Sequence, residues 1–275
     1  MIKNILIGIA FSPNLKANLF EAIRLSNMFN AQLIGVHVGK KSEEKEKQLQ
    51  QLLTKTPKLK HPLKVIWQEG KPVDVILQIV ILQNVDLLIL GALQKEKIYK
   101  YYVGSIARKL TRKAPCSVLL LIKPSTERVN CKHIVISGLQ NEKTEATIKA
   151  GFNFSKILGC KRVTIVEEVG QTELNVKVND DVSLRKSTLI KQRMQKREDA
   201  RVNKMLQNIN TNDIIIKTQS IFGRRGYSIG HYAKVKRADL LVISAPKKTK
   251  ILDRIFPHDI EYILSELPTD VLIVK

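Results

Sequence analysis

The sequence predicts an α/β fold, built as two tandem, doubly wound parallel sheets of five strands each. Three features predict it. Runs such as "DLLILG" (Asp86–Gly91) are apolar at successive rather than alternate positions, which suits strands covered by helices on both faces. Helical stretches alternate with these runs, as right-handed βαβ crossovers require. The whole pattern then occurs a second time within the 275 residues.

Aligning the chain with itself exposes the repeat. Gly70–Ile122 matches Gly223–Lys275 without a gap: Gly70 meets Gly223, "VDLLILGA" (Val85–Ala92) meets "ADLLVISA" (Ala238–Ala245), and Pro115 meets Pro268. The beginnings match as well, "KNILIGIAFSPN" from Lys3 on "KHIVISGLQNEK" from Lys132, with one residue inserted near Lys161. The expected domains are therefore 1–125 and 130–275, joined near "KPSTERVN". The second is longer by an insertion that carries "GQTELNVKVNDDVSL" and a longer helix.

In the first copy "NILIGIA" is a short apolar run without helical spacing, hence a strand. Ser12 then reads as an N-cap with Pro13 at the first helical position, and Leu15, Leu19, Ala22, Ile23 and Leu25 supply one apolar face. "AQLIGVHV" is the second strand, "SEEKEKQLQQLL" a helix, "LKVIWQ" a strand and "PVDVILQIVILQ" a helix. "DLLILG" is the fourth strand, "GSIARKLTRK" a helix and "SVLLLI" the last strand. In such a sheet ligands bind at the carboxyl ends of the strands near the switch in strand order, and Gly91 stands at one such end.

Composition narrows the class of function. With 44% hydrophobic and 26% charged residues the chain folds, and its length suits two cores. The longest apolar stretch, Val75–Leu93, is interrupted by Gln78, Gln83, Asn84 and Asp86 and does not read as a membrane span. The first residues lack a small-residue cleavage site, so the expected location is cytoplasmic. Cys116, Cys131 and Cys160 lie far apart without a CxxC pair, which points to reduced thiols in or near cores rather than a zinc cluster or a disulfide framework. His37, His61, His133, His231 and His258 form no metal-binding spacing. A net charge of +22 would attract nucleic acid, anionic lipid or anionic metabolites. It is spread evenly over both copies, and with only 5% aromatics there is little to stack on bases, so the lysines read as a solvated surface.

After the fourth strand comes "GALQKEKIYKYYVGS" (Gly91–Ser105), with a glycine at its start and Gly104 followed by Ser105 at its end. Glycines allow φ > 0 and close backbone approach, and a glycine and hydroxyl opening a helix present free N–H groups to an anion. Together with "KNILIGIAFSPN", "DLLILGA" and "APCSVLLLI", this loop makes the first copy resemble the universal stress protein family, and "FPHDIEYILSELPTDVLIVK" carries the likeness in the second. The resemblance implies a five-stranded parallel sandwich in each half, with the halves paired through their last strands as an internal pseudo-dimer, open to a further homodimer. In ATP-binding members a G-x2-G-x9-G-S/T loop holds the phosphates, which here places Gly91, Ala92, Gln94, Gly104 and Ser105 in that loop. It also places Ala10, Phe11 and Ser12 at the end of the first strand and the backbone of Val36 and Val38 beside the base.

Two departures stand out. Gln94 replaces the middle glycine, a strain if that position needs φ > 0, and Ala10 stands where the family has an aspartate. The second copy departs further, with Leu139 at the aspartate position and Ser244, Lys247, Pro257 and His258 at the loop positions. Pro257 removes an N–H, so this half is not expected to bind nucleotide in the family's manner. For the first half two readings fit. One is a weakened site for ATP or AMP, with Mg²⁺, aided by Lys95 and Lys97; the other is a plain connection, with Gly104 a tolerated helix start and Ser105 a cap.

Elsewhere, Leu184–Ile209 reads as a long helix with Ile190, Met194, Val202, Leu206 and Ile209 near one face and many basic residues on the rest. "APKKTK" reads as an exposed loop, and His258 with Asp259 as a helix start. The expected role is a stress-response regulator working through protein partners, with no catalytic residues and no resident metal. The alternative is a scaffold that has lost nucleotide binding and uses its basic surface for protein or nucleic-acid partners.

Overall fold

The computed structural model describes residues 2–95, 98–127, 129–170, 179–211, 213–246 and 259–275, with the backbone alone at 93–95, 98–102 and 259. The chain forms two compact units, Met1–Val129 with Asp270–Lys275, and Asn130–Thr269. The sequence copies 1–125 and 130–275 are not coextensive with these units, because the last strand of the second copy counts with the first unit.

The first unit runs β1 (Asn4–Gly8), α1 (Leu15–Phe29), β2 (Gln32–Val38), α2 (Glu43–Leu53), β3 (Lys64–Gln68), α3 (Pro72–Leu82) and β4 (Leu87–Gly91). It continues through β5 (Leu93–Lys95), β6 (Ile98–Tyr102), α4 (Ser105–Lys113) and β7 (Ser117–Leu121). The second unit runs β8 (Ile134–Ser137), α5 (Thr144–Leu158), β9 (Arg162–Val169), α6 (Asp181–Leu206), β10 (Ile215–Phe222), α7 (Tyr227–Val235), β11 (Leu240–Ser244) and α8 (Asp259–Glu266), and the chain closes with β12 (Asp270–Val274).

In the first unit β3, β2, β1, β4 and β7 lie side by side, all parallel. The final strands of the two copies, β7 and β12, pair antiparallel, with Leu120 opposite Val271 and Leu119 opposite Leu272. In the second unit β10, β9, β8 and β11 are parallel in the matching order. The repeat extends to register: Ile5 faces Leu33 and Leu87, and Ile134 faces Val163 and Leu240. These central strands are apolar throughout because both faces are covered. Ile5, Leu6, Leu87 and Leu88 are fully buried, as are Ile134, Val135 and Leu241.

Helix starts differ from expectation in three places. Ser12 does not cap α1: Ser12, Pro13 and Asn14 form a turn in which Ser12 O accepts the Leu15 N–H at 3.0 Å, and the helix begins at Leu15 with Asn14 as its N-cap residue. At α4, Gly104 is the N-cap residue and Ser105 the first helical one. α6 starts earlier than its apolar pattern suggests, on a capping box in which Ser183 N–H donates to Asp180 Oδ1 at 2.7 Å and Asp180 N–H donates to Ser183 Oγ at 3.1 Å.

The insertion's helix is long, 26 residues against 11 for its counterpart α2. Among its expected apolar face only Val202 is fully buried; Ile190, Met194 and Leu206 are half-buried. Ile209, expected on the same face, lies beyond the helix end. No helix among the described residues is long and apolar enough to cross a membrane.

Candidate functional site

At the carboxyl end of β1 the backbone runs on in sheet fashion, with Ile9 N–H donating to Val36 O at 2.7 Å. Val36 is buried and its carbonyl is therefore taken, while Val38 is half-buried and Ala10 is exposed without a polar group to offer. Buried His37 lies between them, its Nδ1 2.8 Å from Ile9 O and its Nε2 3.2 Å from Lys45 Nζ. The lysine can only donate, so Nε2 accepts and the Nδ1–H donates to the carbonyl. The His37 ring sits edge-on to Phe11 at 5.1 Å and to Trp67 at 4.9 Å, and Phe11 stacks on Trp67 at 6.4 Å. Phe11 thus has aromatic partners of its own.

Gly91 ends β4 where α1 approaches closely. A Cβ on Gly91 would lie 2.5 Å from Asn18 Nδ2, so the Asn18 amide lies directly on the glycine. Asn18 Oδ1 is buried with no hydrogen-bond partner among the described residues. Ala92 is buried, its N–H bound to Leu121 O at 2.8 Å.

The loop then departs from a simple phosphate-wrapping arc. β5 and β6 form an antiparallel ribbon, with Leu93 opposite Tyr102 and Gln94 opposite Tyr101. Gln94 is a strand residue with extended backbone, so the strain expected of a φ > 0 position does not arise. Lys97 lies outside the described residues, as does the Lys95 side chain. Beyond the ribbon, Gly104 has φ −61° and ψ 160° and α4 starts without a side-chain cap. Ser105, the first helical residue, is exposed, and the leading N–H groups of a helix have no intrahelical partner.

The second unit has a cavity of about 560 Å³ at the carboxyl ends of β8 and β11, with Ser137, Asn141, Glu168, Arg225 and Ser244 in its wall. Glu168 is only 2% exposed; its Oε1 accepts the Ile229 N–H at 2.8 Å and its Oε2 the Gly226 N–H at 3.0 Å. The carboxylate thereby satisfies the start of α7 and complements its dipole. Asn141 Nδ2 donates to Leu139 O and to Ser244 Oγ, both at 3.1 Å, and so bridges the two described positions where this copy lacks the family's residues. Lys247, Pro257 and His258 lie outside the described residues, as do the last four residues of "APKKTK".

A smaller cavity of about 230 Å³ adjoins Glu167, Glu198, Met194 and Arg197. Here Arg201 reaches inward from α6, 3.0 Å from Glu167 Oε2 and 2.5 Å from Glu198 Oε2, and it also donates to Gly138 O. Burial pushes the Glu167 carboxyl up to about 8, with Glu198 adding to the rise and Arg201 and Arg225 opposing it. Burial outweighs the one guanidinium, which is itself divided between two carboxylates, so the ion pair does not keep Glu167 acidic.

Sequence reasoning singled out Gly91, Gly104 and Ser105 and passed over Asn18 and Glu168; Arg201 read as one of the basic residues on the solvated face of the long helix, and the structure instead turns it inward onto Glu167 and Glu198. The adjacent Glu167 and Glu168 closing the apolar run of β9 were the available signal. Asn18 gave none, since nothing along the chain sets it apart from the other polar residues of its helix. Among the described residues no group of three His, Cys, Asp or Glu side chains is placed to hold a metal.

Residues 1–121 match the Universal stress protein family. The family match therefore covers the first copy. The universal stress protein architecture extends over both halves. A universal stress protein from Archaeoglobus fulgidus DSM 4304 superposes with a TM-score of 0.73 at 14% identity, covering 99% of this chain and 98% of that one. A functionally unknown protein from Pseudomonas aeruginosa PAO1 gives 0.72 at 16% identity, covering 100% and 92%. A putative universal stress protein from Pseudomonas aeruginosa UCBPP-PA14 gives 0.70 at 14% identity, covering 100% and 93%. At these identities the likeness is one of fold. No curated protein matches the chain.

Proposed function

We propose that the chain is a cytoplasmic stress-response regulator of the universal stress protein kind, acting by binding rather than catalysis, with a weakened adenine-nucleotide site in its first half. The observation that carries this reading is the start of α4, where Gly104 and exposed Ser105 lead the helix without a side-chain cap. Free N–H groups at a helix start attract phosphate. The buried Asn18 Oδ1 on Gly91, without a partner among the described residues, adds an acceptor at the end of β4 that a ligand donor would satisfy. Ala10 contributes no carboxylate to the nucleoside, which lowers affinity, and Mg²⁺ would arrive with the phosphates of ATP.

The test is the content of the purified chain: denaturation followed by chromatography and mass spectrometry of the released small molecules, with a thermal shift on Mg-ATP and on AMP. A ligand at a hundredfold excess over its Kd stabilises by about 2.7 kcal/mol. Gly104→Asp places a carboxylate at the phosphate position and abolishes binding while leaving the melting point of the free protein nearly unchanged. Binding that survives this change removes the loop from the reading.

A second reading is favoured by α6, on which Arg185, Lys186, Lys191, Arg193, Lys196 and Arg197 are all exposed. A protein that binds no nucleotide would use this surface for acidic protein partners or nucleic acid. Its sign is salt-sensitive binding to polyanions, weakened by charge reversal between Arg185 and Lys204.

A further inference from the structure

The sequence reads as three separated reduced thiols, yet the fold brings two of them together. β8 and β9 are parallel neighbours, with Ile134 opposite Val163 and Val135 opposite Thr164. Carried back to the amino ends of both strands, this register sets Cys131 opposite Cys160. The two thiols lie close enough for each to shift the other's ionisation, Cys131 upward and Cys160 downward, and the Cys160 thiol also donates to Arg162 O at 3.4 Å. Both are free thiols in this structure, Cys160 buried and Cys131 half-exposed, while Cys116 is buried in the first unit. Neighbouring strands are separated by about 4.8 Å, inside the Cα separation of roughly 4.4 to 6.8 Å that a disulfide spans.

We propose that Cys131 and Cys160 form a reversible intramolecular disulfide, a redox modification site of the second half for which a peroxide is the oxidant. The site is independent of the nucleotide reading. Its chemistry is supported by the thiols' ionisation. The neighbouring Cys131 thiol brings the Cys160 thiol down to about 7 against the opposing effect of burial, and the same proximity raises Cys131. Once one proton is lost the other is shared between the two sulfurs, and half-exposed Cys131 is the sulfur of the pair that a peroxide reaches. Asp239 holds the intervening backbone, its Oδ2 accepting from the N–H groups of Lys132 and His133, and its charge opposes ionisation of both thiols.

The thiolate attacks one peroxide oxygen, an S–O bond forms, the O–O bond breaks, and the departing hydroxide takes a proton to leave as water. The second sulfur, losing its proton, attacks the sulfenic sulfur; the S–S bond forms and the S–O bond breaks, releasing a second water. Two electrons pass from the two thiols to one hydrogen peroxide. A dithiol reductant reverses the change by exchange. The bond ties the start of β8 to the start of β9 across α5, at the opposite ends of these strands from Ser137 and Glu168. It also restrains the unfolded chain, so the oxidised protein melts higher.

The experiment takes the full chain, reduced and desalted, treats it with equimolar hydrogen peroxide, alkylates free thiols and maps the digest by mass spectrometry. The expected result is one cross-linked peptide pair, Cys131 with Cys160, that dithiothreitol abolishes, together with a raised melting temperature that the reductant reverses. Full alkylation of both cysteines after peroxide, or their separate over-oxidation without a cross-link, overturns the proposal. Cys160→Ser alters a buried position, so Cys131→Ser at the half-exposed one serves as the control. It is expected to melt like the reduced wild type and to lose the peroxide response. A Cys131→Ser protein whose melting temperature still rises with peroxide also overturns the proposal.

Discussion

Asp86 and Asp239 make the same contact at matching positions of the repeat. Asp86 Oδ2 accepts the N–H groups of Lys3 and Asn4 at 2.7 and 3.0 Å, and Asp239 Oδ2 accepts those of Lys132 and His133 at 2.7 and 2.9 Å. Each carboxylate stands just before the fourth strand of its copy and fastens the start of the first strand, fixing the register at the centre of the sheet.

Asp86→Ala and Asp239→Ala are each expected to cost about 1 to 3 kcal/mol, since two N–H groups lose a charged acceptor. The two sites lie in different units, so the double variant should lose about the sum. Urea denaturation of the two singles and the double checks this, and a loss well below the sum would mean that one contact depends on the other.

Glu168→Gln is expected to destabilise the second unit by about 1 to 3 kcal/mol. Glutamine keeps one acceptor oxygen and turns its NH₂ toward a second N–H, leaving the start of α7 partly unsatisfied in a buried setting. Hydrogen exchange should quicken first at Gly226 and Ile229. Unchanged protection there would remove Glu168 as the cap.

The Glu167 carboxyl supplies a pH dependence. Its raised value means that the fold favours the protonated form, so its contribution is full below the ordinary value of 4.5 and is lost as pH rises through about 8. Glu167→Gln keeps a neutral side chain throughout and should flatten that decline. Melting temperatures of both proteins from about pH 5 to about pH 9 test it, and parallel curves would show that Glu167 ionises without cost.

Gly151→Ala sets helix propensity against packing. Alanine in mid-helix would gain about 1 kcal/mol, but its Cβ would lie 2.3 Å from Ile136 Cδ1 and 2.8 Å from Cγ1. Ile136 is fully buried in β8 and has little room to turn, so overpacking at about 1 to 3 kcal/mol wins and the variant should melt lower. A higher melting temperature would mean that α5 shifts outward freely.

Much of the fold was legible because the information is local and duplicated. The self-alignment that sets Val85 on Ala238 also sets Leu87 on Leu240, and these residues pair with Ile5 and Ile134 in the structure. Gly104 and Ser105 were legible as a helix start because they directly precede the periodic pattern of α4. The ribbon of β5 and β6 was not. Between Gly91 and Gly104 the segment has no Asn-Gly or Asp-Gly turn and no alternating pattern, so nothing local marks a hairpin.

The sequence by itself determined the order of the strands and helices within each copy apart from the β5–β6 ribbon, their parallel arrangement there and the place of the loop between β4 and α4, since apolar runs and helical periodicity are properties of neighbours along the chain. Tertiary structure alone decided that Asp86 and Asp239 fasten strand starts, that Arg201 turns inward to share itself between Glu167 and Glu198, and that Cys131 meets Cys160. Each of these joins residues from different elements through strand register or helix docking. Burial and charge around a side chain are set by what packs against it, not by what precedes it.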